Sequence, residues 1–279
     1  MEIEDEFDVE PKFKFSSLFA NKWVRYGLFL FVIVAFLLLI VWLSQKRKTE
    51  DYTPTATVFL TQPQTQHFLH SDQDFFGRSL NQVNLEANGV VHHQDLLDKW
   101  SSSARDWTPE ETKKLKDACA IVDYVISTKI KDPFKSQLRV LSWQLAKTIH
   151  PYYLDGLPHT REDLIFLTDK TVAELDTKQL ARILLHEKAH IWSRRYPEEM
   201  KGWMERHNFK PVEKIENDGL QRRNPDVDEW TYENDQQQLL GVRFASTAPR
   251  DLHDVQSYHV KMDHPFEQFA SSVEQYIYS

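Results

Sequence analysis

Along this chain the spacing of apolar residues changes character repeatedly, and each change marks a segment. Residues 1–25 show no apolar period. They are acidic first (Glu2, Glu4, Asp5, Glu6, Asp8, Glu10) and then basic (Lys12, Lys14, Lys22, Arg25), a composition that predicts a disordered polar arm. Residues 26–43 carry no charged side chain at all. At 1.5 Å per residue such a run approaches the roughly 30 Å hydrocarbon core of a bilayer, so a single transmembrane helix is expected. Trp23, Tyr26 and Trp42 stand where interfacial aromatics belong. Basic residues flank the run on both sides, Lys46, Arg47 and Lys48 on the second, which leaves the orientation undetermined. Residues 44–105 are polar and uneven and read as a partly ordered stalk or linker.

From residue 106 onwards the pattern is that of a folded domain. Thr108-Pro109-Glu110-Glu111 supplies an N-cap, an N1 proline and an N3 glutamate ahead of the stripe Leu115, Cys119, Val122, Ile126. A second helix is expected from about Ser136 to Ile149 through Leu138, Leu141, Trp143 and Leu145. A short apolar run over 163–167 predicts a strand. Asp176 and Gln179 then form a capping box for a helix with Leu180, Ile183, Leu184, Ala189 and Trp192 on one side, stopped by Pro197. Another strand is expected over 239–244, and a last helix follows Asp263 or His264 with Phe266, Phe269, Ala270 and Val273 on its apolar side. The fold class is therefore α+β, a domain over 106–279 in which one central helix packs on a small sheet, preceded by the transmembrane helix.

Composition narrows the chemistry. The net charge is −8 and the pI about 5.8, which gives no electrostatic footprint for nucleic acid. Cys119 is the only cysteine, so any metal must be held by histidine and carboxylate.

The helix over 177–195 contains His186-Glu187-Lys188-Ala189-His190. Positions i and i+4 stack on one helix face, so both imidazoles can close on one Zn²⁺, and Glu187 is placed to serve as a general base. This HExxH sequence resembles that of the zincin metallopeptidases. The extended metzincin pattern requires Gly at the position of Ser193 and His at that of Tyr196, and the inverted HxxEH motif is absent. A later carboxylate is then the natural third ligand. His264-Pro265-Phe266-Glu267-Gln268-Phe269-Ala270 is similar to the glutamate-ligand helix of gluzincins, which points to Glu267, with Glu274 as the rival. Asp226 and Asp228 are available to orient the histidines. Tyr232, Tyr258 and His259 are candidate donors to a developing oxyanion. In zincins an edge strand ahead of the motif helix pairs with extended substrate, which here implies the 163–167 strand. The resemblance implies a zinc peptidase acting on peptide or protein substrates, and the uncharged run would anchor it in a membrane by a single pass. Its bilayer contact would run through residues 26–43. The alternative is a catalytically inactive tethered binding or scaffold protein on the same fold.

Overall fold

The computed structural model describes residues 31, 33–38, 55–214, 219–256 and 264–279. The chain divides into two compact units, Met1–Tyr52 and Thr53–Ser279. In the first, Phe31 and Ile33–Leu38 are helical and exposed. Of the run 26–43, only these positions lie among the described residues. Among the described residues no helix is long and apolar enough to cross a membrane. The expected transmembrane helix over 26–43, the single-pass membrane location and the bilayer contact built on it are corrected accordingly.

The second unit is organised on a mixed sheet in the order β1–β3–β5–β4, where β1 is Thr57–Phe59, β3 Trp143–Thr148, β4 His159–Arg161 and β5 Leu164–Thr168. β1, β3 and β5 run parallel, β4 returns antiparallel on β5, and β2 (Ala104–Arg105) pairs antiparallel with β3 beyond β1. Side chains alternate across the sheet. Leu145, Ile165 and Leu167 enter one core with the long helix Pro109–Lys129, the motif helix Thr177–Arg195 and the C-terminal helix Pro265–Glu274. Ala146, Leu164 and Phe166 enter a second core with Leu69, Leu85, Leu96, Leu97 and Trp100.

That second core lies in the stretch expected to be a stalk. Residues 55–105 are folded, with helices Gln62–Ser71, Gln82–Ala87 and His93–Ser102 covering the far face of the sheet. Their apolar residues are sparse in sequence, and only the sheet face unites them. The helix expected over 136–149 is also replaced. A short helix Phe134–Arg139 gives way to β3, whose two faces are both covered. Burial on both faces makes a strand read as a continuous apolar run, in which a helical period can be found by accident.

The helix starts at 108 and 176 form as expected, each with both capping-box hydrogen bonds. His264 caps the C-terminal helix by accepting from the Phe266 N–H; Asp263 lies outside the described residues. The strand expected over 239–244 is broken into β8 (Leu239–Leu240) and β9 (Arg243–Phe244) at Gly241, whose φ of +142° suits glycine alone. A side chain there would also strike Gln221. β6 (Lys210–Lys214), β7 (Trp230–Glu233) and β8 form a small antiparallel sheet.

Candidate metal centre

The site forms where the motif helix crosses the C-terminal helix. Ala270, fully buried, permits the close approach, and Phe269 stacks on Trp192 with ring centroids 5.0 Å apart. The crossing places Glu267 opposite His186 and His190. Glu267 Oε2 lies 3.2 Å from His186 Nε2 and 3.5 Å from His190 Nε2, and the two Nε2 atoms are 3.0 Å apart. Donors arranged tetrahedrally at about 2.0–2.1 Å around a zinc-sized ion stand about 3.3 Å from one another. The three atoms therefore have the spacing of a ligand set. Two imidazole nitrogens facing each other so closely, with a carboxylate alongside, require a shared cation or proton.

The outer atoms of His186 and Glu267 are organised too. His186 Nδ1 donates to Glu274 Oε2 at 3.2 Å, and Arg182 holds Glu274 Oε1 at 2.6 Å. A donated Nδ1–H leaves Nε2 as the metal-facing lone pair. Glu274, the sequence rival for third ligand, thus sits on the far side of His186. Asn224 Nδ2 donates to Glu267 Oε1 at 2.7 Å. Burial disfavours charge on both Glu267 and His186. Against it, the two histidines hold Glu267 well below the ordinary carboxylate range, and Glu267 and Glu274 lift His186 to about 10.

The centre opens into a cavity of about 300 Å³ whose walls include Leu154, Leu157, His159, Glu187, Asn224, Asp226, Val242 and Leu252. Among the described residues Glu187 Oε2 has no hydrogen-bond partner. Burial, reinforced by Asp226, raises the Glu187 carboxyl well above the ordinary range. Glu187, His190 and Asp226 make a second group whose ligating atoms lie within 4.8 Å of one another. Asp226 Oδ1 accepts from both the N–H (2.7 Å) and the Oγ1 (2.6 Å) of Thr160.

This last contact changes the expected edge. The 163–167 strand is interior, as β5, and the edge is β4. The Thr160 N–H is held by Asp226, and all three residues of β4 are buried. Pairing of an extended chain with this edge would have to displace Asp226.

His159 lies on β4 with Nδ1 donating to the Leu157 carbonyl at 2.8 Å and its ring stacked on Phe166. Burial pushes its imidazole down to about 4; Asp226 opposes the shift, while Arg161 and Arg194 add to it. The folded value lies below the unfolded one near 6.5, so the unfolded chain takes up the proton first as pH falls. Stability from this group is complete above pH 6.5 and is lost toward pH 4, about 3 kcal/mol in all. Urea unfolding at pH 7 and pH 4.5 should show His159→Phe losing about 2–3 kcal/mol less than wild type over that interval. Equal losses in the two proteins would exclude His159 as the source.

Of the candidate donors, Tyr232 directs its hydroxyl to Asp228 Oδ2 at 2.6 Å and lines a different groove, beside Phe209 and Trp230. It is not brought into the cavity. Tyr258 and His259 lie outside the described residues. Asp228 meets His264, 3.3 Å from its Nε2, rather than either motif histidine. Sequence reading missed Asn224, Thr160 and Arg194, whose contacts to Glu267, to Asp226 and to Pro225 and Thr160, respectively, are long-range. Glu274 carried a signal, since seven residues after Glu267 on a helix is the same face two turns on.

No protein-family model, curated protein or solved structure matches the chain. Any reading of the site therefore stands on its own geometry.

Proposed function

We propose that this protein is a zinc-dependent peptidase whose ion is held by His186, His190 and Glu267. The observation that carries the reading is the convergence of three ligand atoms, two nitrogens and one oxygen, at 3.0–3.5 Å. Two His and one Glu are a donor set used by catalytic zinc, which leaves a position open. When bound there, zinc supplies Lewis acidity toward water and toward the oxygen of a peptide carbonyl.

The chain's own residues do the rest. Glu187 lines the cavity, and its Oε2 has no hydrogen-bond partner among the described residues. It takes a proton from the attacking water as the bond to the carbonyl carbon forms. It then returns that proton to the amine nitrogen as the C–N bond breaks. Glu274 and Asn224 hold a histidine and the glutamate in their ligating orientations. Leu154, Leu157, Val242 and Leu252 give the cavity an apolar wall suited to an uncharged side chain beside the scissile bond.

Elemental analysis of the purified full chain tests the metal. About one zinc per chain is expected, lost in His190→Ala and held with measurable but much weaker affinity in Glu267→Ala. Glu274→Gln should keep zinc with affinity lowered about 10–100-fold. A folded wild-type chain that binds no zinc, or prefers another divalent ion, would end this reading.

A further inference from the structure

We propose that Asn224 is a positioning residue that holds Glu267 to one-oxygen ligation and so keeps a coordination position free. The proposal rests on the zinc-site reading above. Glu267 reaches the site on a flexible side chain with two equivalent oxygens. With both oxygens on the ion, the carboxylate would occupy the place that water or substrate needs. In this fold Oε1 is taken by Asn224 Nδ2 at 2.7 Å, while Oε2 faces the two imidazoles.

Asn224 is itself immobilised. Its Oδ1 accepts from the Asp226 N–H at 3.0 Å, and Asp226 is tied to Thr160 on β4 by two hydrogen bonds. Arg194, on the motif helix one turn beyond His190, donates to the Pro225 carbonyl at 3.3 Å, to the Glu162 carbonyl at 2.9 Å and to Thr160 Oγ1. On the other side the Arg223 N–H donates to Asn84 Oδ1 at 2.9 Å, and Asn84 Nδ2 donates to the Gln221 carbonyl at 3.0 Å. The segment 221–226 is clipped at both ends, so the Asn224 amide does not follow Glu267; Glu267 comes to it. The orientation of the amide is also determined. Flipping it would set Oδ1 against the Glu267 carboxylate and the NH₂ group against the Asp226 N–H, two repulsive contacts in place of two hydrogen bonds.

A turn residue and a positioning residue make different demands on this side chain. Asn224→Asp keeps the Oδ1 acceptor that the Asp226 N–H needs, but replaces the donor facing Glu267 with a carboxylate oxygen. A turn role alone predicts that Asn224→Asp behaves as wild type. A positioning role predicts about 10–100-fold weaker zinc binding; the facing carboxylates also lower the unfolding midpoint of the zinc-free protein, so the zinc loss is apportioned in the Glu267→Ala background. Zinc dissociation constants from chelator competition, measured beside thermal unfolding of the zinc-free full chain, separate the two. The same substitution in a Glu267→Ala background should change zinc affinity less than about twofold, because its effect passes through Glu267.

Wild-type zinc affinity in Asn224→Asp, or a full additional loss in the Glu267→Ala background, would overturn the proposal and leave the peptidase reading intact. If Asn224→Asp lowers the unfolding midpoint of the zinc-free protein, the doubly substituted chain still decides, through additivity of the two losses. A wild-type chain without zinc would overturn both. Zinc binding that depends on Asn224 in a chain that hydrolyses no peptide would support the proposal and sink the peptidase reading.

Discussion

Glu187→Gln is expected to lower peptide hydrolysis by about 10²–10⁴-fold while the chain still binds zinc. At about 1.4 kcal/mol per tenfold, the substitution removes roughly 3–5 kcal/mol of transition-state stabilisation. The amide is nearly isosteric with the carboxylate, and Oε2 has no partner among the described residues to lose. The change therefore removes a proton acceptor and little structure. The ligand atoms belong to other residues, His186, His190 and Glu267, so zinc content should be unchanged. A mixed peptide pool incubated with wild type and variant, with cleavage sites read by mass spectrometry, checks both rate and preference. Equal rates would remove Glu187 from the mechanism. A zinc-loaded wild type that cleaves nothing would favour a binding module built on the same geometry.

Arg161→Ala should cost about 3–5 kcal/mol of stability, a large share of the 5–15 kcal/mol typical of a folded domain. The guanidinium is fully buried. Its Nη2 donates to Asp72 at 2.5 Å and to Asp74, its Nε to Asp74 Oδ2 at 2.9 Å, and its Nη1 to the Tyr153 hydroxyl at 3.3 Å. The rings of Phe68, Phe76 and Trp100 enclose it at 5.1–5.8 Å. Burial alone would raise the Asp74 carboxyl; Arg161 outweighs it and holds the group below the ordinary range. Removing the arginine strands two carboxylates in an apolar setting. Asp72 has a further task, accepting from the Gly77 and Arg78 N–H groups at 2.9 Å each. The loss therefore spreads into the 72–78 turn that packs the second core. Arg161→Met combined with Asp72→Asn and Asp74→Asn should recover part of the deficit, because the uncompensated charges are gone. Urea midpoints for the single and triple variants decide it. A single variant within about 1 kcal/mol of wild type would show that the cluster relaxes or admits water.

Arg161 follows Thr160 and His159 on β4, so one three-residue strand joins the buried charge cluster to the wall of the cavity. Leu157-Pro158-His159-Thr160-Arg161 reads as a turn leading into the 163–167 strand, with a His159 that could face a cleft or simply cap the loop, and the burial of Arg161 is not legible in it. An arginine in a polar run signals solvent; its burial depends on Asp72 and Asp74, almost ninety positions away. The same separation hid Asn224. Its Pro-Asp neighbours announce a turn, and nothing nearby announces that its amide meets Glu267.

What the sequence alone determined is local. HExxH set two imidazoles on one face because the α-helical repeat is invariant, and the capping boxes at Thr108 and Asp176 set where two helices begin. The apolar stripe of Pro265–Glu274 put Glu267 beside a buried face. Only the tertiary structure decided which of Glu267 and Glu274 meets the Nε2 atoms, because that depends on the angle and register of two helices packed through Ala270 and Phe269. It also decided that residues 55–105 complete a second core, that β4 rather than β5 is the edge, and that Asp226 closes that edge. Each of those outcomes rests on hydrogen bonds and contacts between distant residues. Such contacts leave no period in the sequence, since they are chosen by packing the whole chain at once.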